Sequence, residues 1–97
     1  MGRESLKNCV MNIEGLEYKY IQYTKLNKDD VVRVLGANFK GDSIFLDKSK
    51  QYTIEVYTPN GISEVNPSDY ILFNNQGKKV VAVVSASDFN DFYSEKS

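Results

Sequence analysis

The chain contains no histidine, no tryptophan and a single cysteine. Losing histidine removes the commonest general base at neutral pH and the commonest metal ligand. Cys9 alone cannot close an internal disulfide, so the expected setting is a reducing compartment, and a structural zinc site is excluded on ligand count. Cys9 also lacks a histidine that could lower its thiol pKa, and it reads as a packed small residue rather than a nucleophile. Prolines number only two. No stretch nears the roughly 20 apolar residues of a membrane span, and the apolar run of a signal peptide is missing behind Arg3 and Lys7. The expected place is therefore a cytoplasm, with no membrane partner. No phosphate-binding, calcium-loop or catalytic pattern is present: Gly41-Asp42 and Asp47 lack the oxygen spacing of a calcium loop. The expectation is a non-enzyme without a cofactor or metal.

What is present is ordinary for one globular domain over residues 1–97. Hydrophobic residues make up 41%, charged residues 26%, and the net charge is -1, which argues against a broad basic face for nucleic acid. Seven tyrosines and five phenylalanines stand out. Tyrosine joins apolar area to a polar tip and serves cores and binding surfaces alike.

Residues 1–15 read either as a loosely held extension or as an extra strand over Lys7 to Ile13. Glu17 to Leu26 reads as a strand, with Tyr18, Tyr20, Gln22 and Thr24 on one face and Ile21 and Tyr23 on the other. Apolar matter on both faces calls for cover on both sides. Asn27 to Gly36 has a helix pattern: Asn27 as N-cap, Asp29 and Asp30 in the first turn, Val31, Val34 and Leu35 as the buried stripe, Gly36 as the stop. Residues 38–51 read as a polar connection, with a short strand at Ile44 to Leu46 and a turn at Asp47 to Lys50. Tyr52 to Thr58, a Pro59-Asn60-Gly61 turn and Ile62 to Val65 form a hairpin.

Apolar density peaks further on. Asn66 to Ser68 is a corner, Tyr70 to Phe73 a strand, Asn74 to Gly77 a turn, and Val80 to Val84 a strand apolar on both faces. Such a strand is expected in the centre of a sheet. Ser85 or Ser87 caps a last helix whose buried face is Phe89, Phe92 and Tyr93, with Ser94 to Ser97 frayed. The expected fold is α+β: a small, strongly curled, mostly antiparallel sheet, barrel-like, with one short helix after the first long strand and a C-terminal helix. Closure of one face by a second copy or a partner is the alternative, so monomer and homodimer both stand.

Three stretches resemble a family of small phage and prophage proteins. Tyr20-Ile21-Gln22-Tyr23-Thr24 is similar to its Ala-x-Gln-Trp/Tyr-Thr opening. Pro67-Ser68-Asp69-Tyr70-Ile71 resembles its Pro-Gly-Asp-Tyr/Trp-Ile corner, and Asp88-Phe89 with Phe92-Tyr93 resembles its closing Asp-x-Phe-x-x-x-Tyr helix. Gln76-Gly77-Lys78 stands where that family has a Gly-Glu hairpin. Ser68, Ser87 and Ala82-Val83-Val84 depart from the pattern. The resemblance covers Tyr18 to Tyr93 and implies genetic context, not chemistry.

Phage accessory proteins of this size act by binding host proteins, so the expected function is a protein-binding module inhibiting a host or defence protein such as a CRISPR-Cas component. Expected partner-binding residues are Tyr18, Tyr20, Tyr57, Glu55, Asp42 and Asp47. The runner-up is a nucleic-acid-binding small β-barrel, using Lys19, Lys25, Lys48, Lys50, Lys78 and Lys79 with interleaved tyrosines.

Overall fold

The computed structural model describes residues 4–43 and 52–96. The chain runs β1 (Lys7–Met11), β2 (Glu17–Gln22), α1 (Lys28–Leu35), a single 3-10 turn, β3 (Phe39–Asp42), β4 (Ile54–Thr58), β5 (Gly61–Val65), β6 (Tyr70–Phe73), β7 (Val80–Val84), α2 (Ala86–Phe92) and β8 (Tyr93–Glu95). Two antiparallel sheets result, one of five strands ordered β7-β6-β2-β1-β8 and one of three ordered β3-β4-β5. The α+β class and both helices agree with the sequence reading. The barrel does not: neither sheet closes on itself.

The reason lies in how the apolar faces are covered. β2 and β6 sit inside the five-stranded sheet, and both present apolar side chains to both faces. One face supplies Ile21, Ile71, Phe73, Val80 and the adjoining Tyr23, which meet Ile54, Val56 and Val65 of the other sheet and Val31 and Leu35 of α1. All ten are at most 2% exposed. The opposite face supplies Tyr20 and Leu72 with Cys9, covered by Phe89 of α2 and rimmed by Tyr18, Tyr70 and Tyr93. A second sheet and a helix thus do the work assigned to curling. The prediction that β2 needs cover on both sides is met.

β7 is an edge strand rather than a central one. Its pairing with β6 steps from Leu72↔Ala82 to Phe73↔Val80, leaving Val81 as an extra, bulged residue. The bulge resets the alternation. Val83 packs with Val80 on the main core, while Val81, Ala82 and Val84 join the cluster under α2. Simple alternation had put Val80, Ala82 and Val84 together.

Several local signals act as expected. Ser85 Oγ accepts from Asp88 N–H at 3.1 Å and caps α2. Gly36 ends α1 at φ 54°. Asp69 Oδ2 accepts from Asn66 N–H at 2.9 Å and ties the corner where Ser68 sits at φ 84°. Gly77 turns at φ 73°, a left-handed conformation that favours glycine; a Cβ there would meet the movable ends of the Leu6 and Lys19 side chains.

Others differ. Asn27 does not cap α1: its Oδ1 accepts from Thr24 N–H and its Nδ2 donates to Gln22 O, which fixes the loop into the helix instead. Asp30 does not form a capping box, because its carboxylate accepts from Glu4 N–H. Residues 7–11 form a true strand between β2 and β8. The last residues do not all fray, since Tyr93 to Glu95 pair with β1. This turns the chain out of α2 after Phe92 and leaves Phe92 46% exposed rather than buried. The strand expected at Ile44 to Leu46 and the turn at Asp47 to Lys50 lie outside the described residues.

Candidate functional site

Among the described residues, the three-stranded sheet is covered on one face only. Along β4, Ile54 and Val56 point into the core at 0% exposure, and alternation sends Glu55 and Tyr57 to the other side. The Pro59-Asn60 turn sets the register Thr58↔Gly61, so Tyr57 stands opposite Ile62 and Glu55 opposite Glu64. The uncovered face therefore has two rungs. One is apolar, with Tyr57 at 49% and Ile62 at 52% exposure. The other is acidic and internally held: Lys40 Nζ lies 3.2 Å from Glu55 Oε1, and Ser43 Oγ donates to Glu64 Oε2 at 3.2 Å. Without those partners, two carboxylates directly opposite on a sheet repel.

Beside Tyr57 the surface dips into an open groove of about 480 Å³. Tyr57, Pro59, Val80 and Val81 give it apolar walls; Asn38, Asn74 and Lys79 line its polar side. The asparagines are committed to the fold. Asn38 Nδ2 donates to Leu35 O and Lys78 O, and Asn74 Oδ1 accepts from Lys78 N–H. Lys79 Nζ has no ion-pair or hydrogen-bond partner among the described residues and is the cation at the groove's edge.

The six expected binding residues divide three ways. Glu55 and Tyr57 share the uncovered face, and Asp42 sits on the neighbouring strand β3, ion-paired with Lys28. That contact holds the Lys28 ammonium above its usual pKa. Tyr18 and Tyr20 belong to the far layer, under α2. Tyr20 is 7% exposed, its ring 4.8 Å from Phe89 and its hydroxyl donating to Glu95 Oε1 at 3.1 Å. Burial, and then the Glu95 carboxylate, push that phenol to about 12. Tyr18 is half-buried edge-on to Tyr93. Tyr20 is thus a packing residue, while Tyr18 packs on one side and keeps part of its surface exposed. Asp47 lies outside the described residues.

Ile62 was missed as a binding residue, although the signal existed. A two-residue turn at Pro59-Asn60 fixes its place opposite Tyr57. A second exposed apolar group, Ile13, Leu16 and Phe92, collects where the β1–β2 turn meets the end of α2, joined by the Asn12 N–H to Phe92 O bond.

Burial raises the Cys9 thiol to about 11, so it is protonated at neutral pH. Among the described residues no group of histidine, cysteine or carboxylate side chains is gathered to hold a metal. No described helix is long and apolar enough to cross a membrane. Of the lysines considered for nucleic acid, Lys25 lies over the Tyr52 ring at 4.7 Å, Lys19 donates to Asn8, and Lys78 and Lys79 flank the β6–β7 turn; Lys48 and Lys50 lie outside the described residues.

Comparison with known proteins returns no matching family model, no matching curated protein and no matching solved structure.

Proposed function

We propose that the chain is a small protein-binding module of the phage or prophage type, acting as an inhibitor of a host or defence protein such as a CRISPR-Cas component. It engages that partner through the uncovered face of the three-stranded sheet. The observation that carries the reading is the Tyr57–Ile62 rung. Two large apolar side chains stand directly opposite each other, half exposed, on a face that no other described element covers. A tyrosine beside an apolar groove suits an interface anchor, because it buries much area while fixing few rotatable bonds. Glu55 on the same face and Lys79 beside the groove add polar and charged groups next to it, as at the rim of a recognition surface, whereas Asp42 stands opposite core-facing Ile54 and pairs with Lys28 on the covered side.

The test is capture from bacterial lysate on the tagged protein, with and without nuclease, alongside a Tyr57→Ala/Ile62→Ala variant. One protein enriched under both treatments and lost with the variant supports the reading. Enrichment that vanishes on nuclease treatment favours the nucleic-acid alternative. Enrichment untouched by the variant places the contact elsewhere.

A further inference from the structure

We propose, resting on the partner contact proposed above, that the groove beside Tyr57 receives an acidic, apolar stretch of the partner protein. One large apolar side chain of that stretch lies between the walls, and a carboxylate next to it binds Lys79. The fold has already used most of the groove's polar side chains. Asn38 Nδ2 donates to Leu35 O and Lys78 O at 2.9 Å each, and Asn38 Oδ1 accepts from Val80 N–H at 3.5 Å. Thr58 Oγ1 donates to Gly61 O at 2.8 Å and accepts from Asn60 N–H at 3.2 Å. Asn74 Oδ1 accepts from Lys78 N–H at 3.0 Å and from Lys79 N–H at 3.4 Å. Among the described residues, the lining groups left without a partner are Lys79 Nζ, Asn74 Nδ2 and the Tyr57 hydroxyl. The first two can only donate.

Charge points the same way. The lining holds no carboxylate, and Glu55 and Glu64 on the neighbouring sheet face are bonded to Lys40 and Ser43. Lys78, one residue before Lys79, is exposed and likewise forms no ion pair among the described residues. Spare donors with a cation and no spare carboxylate call for an anionic acceptor, which makes the strong, charge-assisted bonds. The walls call for more than an anion, since a bare one would leave Tyr57, Pro59, Val80 and Val81 in water. A nucleic-acid backbone fits less well. Two lysines neutralise few phosphates, and the whole chain carries a net charge of -1. Strand addition is blocked at this end of β7, because the Asn38 amide already occupies Lys78 O and Val80 N–H. The segment therefore binds through its side chains, and its sequence selects it.

A displayed library of random peptides about ten residues long, selected on the immobilised whole chain, tests this. The winners should join aspartate or glutamate to phenylalanine, leucine, isoleucine or methionine. The best of them, labelled and followed by fluorescence anisotropy, should bind at least tenfold more weakly once its acids are changed to amides. The loss should be as large in a Lys79→Glu variant whose circular dichroism is unchanged, while Lys79→Arg keeps most of the affinity. Binding should also weaken between about 0.05 M and about 0.5 M salt. An empty selection overturns the proposal, as do winners without acidic residues or binding indifferent to Lys79→Glu. A single-stranded oligonucleotide that binds more tightly than the best peptide overturns it too, in favour of nucleic acid. Failure here is distinct from failure of the partner contact. A protein captured from lysate, lost with Tyr57→Ala/Ile62→Ala but kept with Lys79→Glu, leaves that contact standing and removes the acidic segment.

Discussion

Among the described residues, the five-stranded sheet is covered on both faces and the three-stranded sheet on one. In the first, β2 and β6 place Ile21, Ile71 and Phe73 against the other sheet and Tyr20 and Leu72 against α2. In the second, β4 buries Ile54 and Val56 and shows Glu55 and Tyr57 to solvent. A strand with two cores is committed to stability on both sides. A strand with one core has a face left over, and that face is where side chains can be chosen for something else. The proposed function places recognition on that left-over face, while both sheets share the main core.

Substitutions can break this division. The largest effect belongs to Phe73→Ala in the main core, which should cost about 4–5 kcal/mol in chemical denaturation, since Phe73 is fully buried between the sheets. Phe89→Ala should follow at about 3 kcal/mol. It removes the ring stacked at 4.0 Å on Tyr70 and 5.4 Å from Tyr93. It should also free α2 and β8 first, read as faster amide exchange there than in β4. An unchanged midpoint for Phe89→Ala would mean that the helix is not docked.

Alkaline titration sharpens the same contrast. Cys9, under α2, has its thiol raised from 9.0 to about 11, and Tyr20 its phenol from 10.0 to about 12. Each group is neutral in the fold at pH values where the unfolded chain has already released its proton. Their stabilising contribution is whole below pH 9 and is lost as pH climbs toward 12. Cys9→Ala should flatten the part of that fall between pH 9 and 11. Asp69→Ala, which removes the carboxylate from Asn66 N–H, should cost about 1 kcal/mol. Phe92→Ser should change stability least, within about 0.5 kcal/mol, because Phe92 lies in the surface.

Much of this was legible in the sequence where one residue's chemistry decides the outcome. Ser85, Asp69, Gly36 and Gly77 each did what their type does in a cap, a corner or a turn. The two-sided burial of β2 was legible too, because Ile21 and Tyr23 alternate with Tyr18 and Tyr20. The misses share a cause. Whether cover comes from curling, a second sheet or a helix depends on contacts between residues far apart in the chain, and periodicity does not carry them. A single bulged residue, Val81, reversed the expected partners of Val80. Pairing of β8 with β1, across more than eighty residues, exposed Phe92. In the site, tyrosine identity could not distinguish Tyr20, which packs, from Tyr57, which does not, because both sit on strands with alternating patterns. What separates them is that α2 lies over Tyr20 and no described element lies over Tyr57.

The measurement that tests this division most directly is the Tyr57→Ala/Ile62→Ala variant, assayed for thermal midpoint and for partner capture from lysate on the same preparation. The account predicts a midpoint within about 2 °C of the original chain and loss of the captured protein. A midpoint that falls steeply while capture persists would contradict it, making the outer rung part of the stabilising structure and leaving recognition to another face.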